Sequence, residues 1–193
     1  MTVTAVPSPR RVLADAVPGA RVRDVLLVVA GAGLVAGIGQ LAIPLPFTPV
    51  PLTLGTFAVL FVGAALGPAR AAAAMVLFLL AGVLGAPVFA DGESGWALAS
   101  FGYAVGYLPA AVLLGYLARR GADRSVFRTA LAAVAATAVI YVPGVLWLMG
   151  YTGAWFGEAL ALGVVPFLIG DAVKAVAAAL LLPGAWRLLG ERR

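Results

Sequence analysis

Residues 43–51 read Ile43-Pro44-Leu45-Pro46-Phe47-Thr48-Pro49-Val50-Pro51 and stand in the middle of a run, 25–69, that contains no Asp, Glu, Lys or Arg. One helix of that length would measure roughly 68 Å, about twice the hydrocarbon thickness of a bilayer. Proline lacks the backbone donor and forces the residue before it into an extended conformation, so 43–51 cannot be helical. The run therefore predicts two membrane spans, 24–43 and 52–66, joined by a proline-rich connection.

The composition of the chain also indicates a membrane protein. Of its 193 residues, 63% are hydrophobic and only 11% are charged, and the mean hydropathy is +1.07. Soluble domains carry about 25% charged residues. A chain of this size cannot bury so much apolar surface in one soluble core, so lipid must be the solvent for most of it. We expect one compact bundle without a second, soluble domain.

The remaining spans follow from the positions of charged residues and helix breakers. Gly67-Pro68 ends the second span, and a polar loop around Asp91 and Glu93 follows the third. A charged turn over 119–128 separates the fourth span from the fifth, and a mixed loop over 150–163 precedes the sixth, which Pro166 begins. The predicted spans are 71–90, 102–118, 129–149 and 166–189. The predicted fold is an all-α membrane protein, a bundle of six transmembrane helices.

The basic residues predict the orientation of the bundle. Twelve of the thirteen Lys and Arg residues fall in alternate connections or near the termini, whereas Asp91, Glu93 and Glu158 occupy the other connections. By the positive-inside rule both termini are cytoplasmic. We expect the chain to lie in the plasma membrane. We expect a cytoplasmic arm over 1–23, a transmembrane domain over 24–190 and a tail over 191–193. The twelve are Arg10, Arg11, Arg21, Arg23, Arg70, Arg119, Arg120, Arg124, Arg128, Arg187, Arg192 and Arg193.

The same distribution explains the net charge of +5 without a nucleic-acid partner. The arm lacks the small-residue cleavage site of a signal peptide before its first long apolar run.

Cysteine and histidine are both absent, which excludes disulfides, thiol catalysis and the common zinc sites. There is no nucleotide-binding loop of the form G-x-x-x-x-G-K-[ST] and no G-x-S-x-G nucleophile motif. We therefore predict no enzymatic activity, no metal site and no cofactor.

The thirteenth basic residue, Lys174, lies inside the sixth span, three residues after Asp171. Ionisable groups at membrane depth cost at least ~2.5 kcal/mol each, and the i, i+3 spacing places both side chains on one helix face. One interpretation is a polar substrate site, in which the carboxylate accepts from N–H donors and the ammonium donates to a carbonyl or carboxylate. The other is a structural ion pair that holds the helix in the bundle.

Three further features each allow two interpretations. The proline-rich connection is either a lid over a site or an ordinary loop, since irregular backbone is tolerated where it lines a cavity or meets water. The aromatic residues of 89–107 either wall a ligand or form an interfacial belt. The small residues of the first span, including Ala32 and Ala36, either dock a partner helix or pack within the bundle.

Four segments together resemble the BioY family, the biotin-specific substrate-binding subunits of energy-coupling-factor transporters. Residues 44–54 (Pro-Leu-Pro-Phe-Thr-Pro-Val-Pro-Leu-Thr-Leu) resemble the family's first loop and the start of its second helix. Residues 82–90 (Gly-Val-Leu-Gly-Ala-Pro-Val-Phe-Ala) resemble the end of its third helix, and 101–107 (Phe-Gly-Tyr-Ala-Val-Gly-Tyr) the opening of its fourth. Residues 166–175 (Pro-Phe-Leu-Ile-Gly-Asp-Ala-Val-Lys-Ala) resemble the signature of its sixth helix.

The resemblance implies a six-helix bundle that binds biotin as the transported substrate near the outer face. It implies as partners a transmembrane coupling protein and two cytoplasmic ATPases. On this basis we expect partner docking at Ala32 and Ala36. The residues expected to bind substrate are Asp171, Lys174, Tyr103, Tyr107, Thr53, Phe89 and Gly102. A subunit specific for another vitamin, a stand-alone carrier or channel, and a purely structural scaffold are the alternatives.

Overall fold

The structure is a computed structural model that describes residues 11–16, 19 and 21–188. Arg10, Arg192, Arg193 and the predicted tail over 191–193 lie outside the described residues. The described part contains two short strands, β1 (Ala42–Ile43) and β2 (Leu52–Thr53), and seven α-helices. The helices are α1 (Arg21–Gly39), α2 (Gly55–Leu66), α3 (Pro68–Val83), α4 (Phe101–Arg119), α5 (Val126–Thr152), α6 (Phe156–Gly163) and α7 (Leu168–Leu188).

Four stretches of the described chain are long and apolar enough to cross a membrane: 21–39, 101–119, 126–152 and 156–188, the last formed by α6 and α7 together. The two other long helices, α2 and α3, are apolar but have only 12 and 16 residues. A helix needs about 20 residues to cross the hydrocarbon core of a bilayer without help from neighbours. The prediction of a helical membrane protein is confirmed.

The prediction of a loop over 150–163 is wrong. Helix α5 continues to Thr152 and ends at Gly153, which has φ of 73° and donates its N–H to the carbonyl of Met149. This left-handed termination is a conformation that glycine adopts without strain. The next helix, α6, contains no proline and is rich in Ala and Leu, which favour helix. It buries Ala159 and Gly163 against the bundle.

The connection between α1 and α2 is not helical, as its prolines predict. The first helix ends at Gly39 rather than at residue 43, because Ala42 and Ile43 form β1 and pair with β2. The two strands are antiparallel, with Ala42 opposite Thr53 and Ile43 opposite Leu52. This two-residue ladder closes the base of a hairpin whose tip is residues 44–51, which we call the outer loop.

Helix α4 lies at the centre of the bundle, packed against α2, α3 and α5. Glycines allow the close approach of these helices. A Cβ atom on Gly106 would lie 2.8 Å from the carbonyl oxygen of Ile140 in α5, and one on Gly115 would lie 2.6 Å from backbone atoms of Gly67 and Pro68. Close backbone contact through small residues is a common way for helices to associate in lipid, where no hydrophobic force drives them together.

Carboxylates tie the arginine-rich end of the bundle together. Arg70 at the start of α3 bridges to Asp15 (2.8 Å) and Asp24 (3.1 Å). Burial opposes ionisation of Asp15, but the hydrogen bond from Arg70 and the nearby positive charges lower its pKa below the ordinary value. Asp123, in the turn between α4 and α5, accepts a hydrogen bond from Trp186 at 2.6 Å. Burial raises the pKa of Asp123 to about 6. The arm, the turns and the end of α7 are thereby linked.

Candidate functional site

A cavity opens between the helices at the end of the bundle that carries the hairpin. It has a volume of about 750 Å³ with its mouth included. The hairpin, the connection between α3 and α4, and every long helix contribute to its walls, so the site exists only in the assembled bundle. Its lining residues are Val35, Gly39, Val50, Pro51, Thr53, Gly55, Thr56, Phe78, Val88, Phe89, Ala90, Ser100, Phe101, Tyr103, Ala104, Tyr107, Thr137, Ile140, Tyr141, Phe167, Asp171 and Lys174.

Four polar residues from three helices meet in one wall of the cavity. Lys174 donates to the hydroxyl of Thr56 at 2.8 Å and pairs with Asp171 at 3.0 Å. The hydroxyl of Tyr141 donates to the second oxygen of Asp171. The side chains of Lys174 and Asp171 are only 8% and 11% exposed. We call these four residues the polar cluster.

The polar cluster retains hydrogen-bonding capacity on the cavity side. An ammonium group has three N–H donors, and two of those of Lys174 are engaged by partners within the described residues. Each carboxylate oxygen of Asp171 accepts one described hydrogen bond and can accept another. The cluster can therefore offer an acceptor and a donor, side by side, to a small polar group.

Aromatic rings form a large part of the cavity wall. Phe78 contacts both Phe89 and Tyr107, with ring centroids 5.4 Å and 6.1 Å apart, and Phe89 in turn contacts Phe101 at 6.1 Å. Offset and edge-to-face contacts of this kind stabilise a rigid apolar surface. The interpretation of the aromatic segment as a cavity wall thus holds for these rings. It does not hold for Trp96, which is 61% exposed.

Two tyrosines fix the shape of the cavity through their hydroxyl groups. Tyr103 donates to the carbonyl of Gly163 at 2.8 Å and so joins α4 to the end of α6. The hydroxyl of Tyr107 fills the space beside Gly55, where a Cβ atom would lie 2.8 Å from it and 3.2 Å from the hydroxyl oxygen of Thr53. Gly55 is therefore needed to let Tyr107 approach α2.

The structure brings together six of the seven residues predicted to bind substrate. The six that line the cavity are Asp171, Lys174, Tyr103, Tyr107, Thr53 and Phe89. Gly102 is placed elsewhere: it faces α5, where a Cβ atom would lie 2.2 Å from that of Trp147. Its position indicates helix packing rather than ligand contact.

The two residues predicted to dock a partner lie on the inner side of α1. Ala32 is 7% exposed and Ala36 is half-buried against the core. The exposed small residues of α1 include their neighbours Gly33 and Gly37, and a Cβ atom on either would have no heavy atom within 4 Å. The open small-residue face of α1 is therefore offset by one position from the predicted one.

Sequence reasoning missed Tyr141 and Thr56. Tyr141 lies two residues before Pro143 in an otherwise apolar span, and a hydroxyl at that depth was a signal that could have been used. Thr56 follows Thr53 by three residues and lies at the start of α2. The partners of both groups are far away in sequence, since Thr56 is 118 residues from Lys174 and Tyr141 is 30 from Asp171.

Comparisons with known proteins agree with this architecture. The model of the BioY family matches residues 10–191. A biotin transporter BioY of Rhizobium etli is 34% identical over 82% of this chain and 90% of its own length. A probable biotin transporter BioY of Pyrococcus horikoshii is 37% identical over 74% of this chain and 83% of its own.

Among solved structures, the fold is similar to the crystal structure of the S-component for biotin from an ECF-type ABC transporter. The TM-score is 0.77 at 22% sequence identity, over 89% of this chain and 93% of that one. At this level of identity the match establishes the common fold.

Proposed function

The chain belongs to the BioY family, and we propose that it captures biotin as the substrate-binding subunit of an ATP-driven energy-coupling-factor transporter. The observation that carries the proposal is the polar cluster set in the wall of a largely apolar cavity rich in aromatic residues. The chemical groups of biotin complement those of the cavity. Its ureido ring has N–H donors and a carbonyl, its bicycle and side chain are apolar, and its carboxylate is anionic. Asp171 can accept from the N–H groups, and Lys174 can donate to the carbonyl or the carboxylate.

Four further lining residues contribute to the site in this proposal. Phe89 and Tyr107 supply apolar contact area, and Tyr103 holds the wall of α4 against α6. Thr53 lies beside the Tyr107 hydroxyl at the end of the hairpin. We assign no catalytic step, metal or cofactor to the chain, and biotin is its transported substrate.

A binding measurement tests the proposed specificity. Biotin is expected to bind the purified protein in detergent saturably and at a single site, whereas riboflavin and thiamine at the same concentrations are not. Isothermal titration measures this directly. Binding of another vitamin in preference to biotin would support a subunit of different specificity. Absence of binding by every vitamin, from a protein with a cooperative melting transition, would contradict the proposal.

We propose that the chain crosses the plasma membrane six times, with both termini in the cytoplasm. Helices α1 to α5 supply five spans, and α6 with α7 the sixth. The arm over 1–23 and the tail over 191–193 then lie in the cytoplasm, on either side of the transmembrane domain over 24–190. The support is the clustering of Arg70 and of the arginines of the 119–128 turn at one end, and of Asp91, Glu93 and Glu158 at the other.

Labelling tests this orientation without further engineering, because the chain has no native cysteine. Cysteine introduced at Glu93 or Glu158, both exposed, is expected to react with an impermeant thiol reagent applied to whole cells. Cysteine at Arg128, also exposed, is expected to react only after permeabilisation. The reverse pattern would overturn both the orientation and the external mouth of the cavity.

The proposed partners are a transmembrane coupling protein and two cytoplasmic ATPases. The chain needs them because it lacks a nucleotide-binding loop of its own. We place the docking surface on α1. It includes Ala32 and Ala36 and also the adjacent exposed face around Gly33 and Gly37. Small residues there would let a partner helix approach the backbone closely.

A further inference from the structure

The outer loop, residues 44–51, separates two hollows. Val50 and Pro51 line the inner cavity that contains the polar cluster. A second hollow lies on the other side of the loop, and Pro51 and Ser100 line both. This outer hollow is lined by Pro44, Leu45, Thr48, Pro49, Pro51, Asp91, Glu93, Leu98, Ala99, Ser100 and Tyr151. Different residues of the outer loop line the two hollows, so the loop forms part of the partition between the outer hollow and the polar cluster.

The outer loop is anchored at its base by backbone pairing, whereas its tip is held by the packing of Leu45 and Val50 and by few hydrogen bonds. The β1–β2 ladder fixes its two ends. Four of its eight residues are proline, which has no backbone donor. Among the residues that the structure describes, one hydrogen bond joins the loop to a helix: the hydroxyl of Thr48 donates to the carbonyl of Leu162 in α6 at 2.8 Å.

The hydrogen bond from Thr48 is accepted near the C-terminal end of α6, where backbone carbonyls need donors from outside the helix. The last carbonyls of an α-helix have no intrahelical donor. In α6, Thr48 satisfies Leu162, and Tyr103 satisfies the next carbonyl, Gly163, at 2.8 Å. The loop and a wall of the cavity are thus attached to adjacent peptide groups of one short helix.

The Thr48 hydroxyl both donates and accepts a hydrogen bond, and it is nearly enclosed. It also accepts a hydrogen bond from the backbone N–H of Val50 at 3.3 Å, and the residue is 9% exposed. Val50 packs beside it with 5% exposure. A methyl group in place of the hydroxyl would keep this packing, lose both hydrogen bonds and leave the partly buried carbonyl of Leu162 without its donor.

We propose that Thr48 is a positioning residue that latches the outer loop to α6 across the path between the outer hollow and the polar cluster. Without the latch, side-chain packing alone holds the tip of the loop, so the loop swings on the β1–β2 ladder more often and ligand passes in both directions more easily. This inference rests on the proposed biotin-binding function, but it concerns the rates of binding and release rather than the contacts of the bound molecule.

Rapid-mixing kinetics with biotin test the latch. The nearly isosteric change Thr48→Val is expected to raise the association and dissociation rate constants together, each on the order of 10-fold. The equilibrium constant, their ratio, should change much less. Thr48→Ser, which retains the hydroxyl, should keep the rates of the parent.

A matched control is available at the same end of the bundle. Thr152 also donates to a carbonyl, Leu148 at 2.8 Å, and accepts from an N–H two residues ahead, Ala154 at 3.2 Å. Its acceptor lies in its own helix, so Thr152→Val should leave both rate constants unchanged. Melting curves of all variants report folding independently of the kinetics.

The outcomes distinguish the latch from the function on which it rests. If the parent protein does not bind biotin, the proposed function fails. If the parent binds and Thr48→Val has the parent's rate constants, the latch is refuted. A faster release with an unchanged association rate would also refute it, because that result is expected of a residue that contacts the bound ligand.

Discussion

Replacing Asp171 with Asn is expected to weaken biotin binding on the order of 10- to 150-fold. The substitution keeps the shape of the side chain but removes its charge and one acceptor oxygen. Hydrogen bonds to charged groups contribute roughly 1.5–3 kcal/mol each, and about 1.4 kcal/mol corresponds to a tenfold change in affinity. The hydroxyl of Tyr141, which donates to the Asp171 carboxylate, would also lose its charged acceptor.

Lys174→Met should cost a similar factor, since it retains the length of the side chain but removes the donor to Thr56 and to the ligand. Either single substitution also leaves the other charge buried without its counter-ion, which destabilises the fold as well as the site. The double variant removes both charges. Its stability is expected to exceed that of either single variant, whereas its affinity for biotin is not expected to return.

A melting curve and a biotin titration on the three variants provide the measurement. Glu158→Gln is the matched control, because it neutralises an exposed carboxylate on α6 outside the cavity and should change neither quantity. If the double variant binds biotin like the parent, the ion pair is structural. The determinants of binding would then have to be sought among Thr53, Tyr103 and Tyr107.

The chain alone is expected to bind biotin but not to accumulate it. In sealed vesicles without partner proteins, the internal concentration should not exceed the external one, because nothing in the sequence can couple ATP hydrolysis to movement. With a coupling protein, two ATPases and internal ATP, accumulation should appear. Radiolabelled biotin uptake measures both conditions. Accumulation by the chain alone, driven by an ion gradient, would favour a secondary carrier.

Substitutions in α1 separate docking from binding in the same assay. Gly37→Leu adds bulk to an exposed position with no neighbour within 4 Å of the new Cβ atom. It should lower uptake and recovery of the complex while biotin affinity stays at the parental value. Ala32→Leu, in contrast, inserts the same side chain into the bundle, where overpacking costs about 1–3 kcal/mol. It should lower the melting temperature. Equal uptake by Gly37→Leu and the parent would remove α1 from the proposed interface.

The helical class, the break between the first two helices and the buried ion pair could be predicted because they depend on local chemistry. Absence of charge over 25–69 implies lipid, and prolines at 44–51 imply a break, whatever the rest of the chain does. Asp171 and Lys174 were conspicuous for the same reason: two ionisable residues one turn apart are costly in any membrane helix. The helix over Phe156–Gly163 was missed because a short amphipathic segment is hard to tell from a loop by composition.

The sequence by itself therefore determined which residues leave water and which of these need a polar partner when they do. Which partner each one finds was decided by the tertiary structure. Tyr141 and Thr56 join Asp171 and Lys174, Gly102 faces Trp147, and Thr48 reaches Leu162 114 residues away. The physical reason is that the rotation of each helix about its axis is set by close packing through small residues such as Gly106 and Gly115. A rotation of one position turns Ala32 inward and Gly33 outward, and composition alone does not distinguish the two.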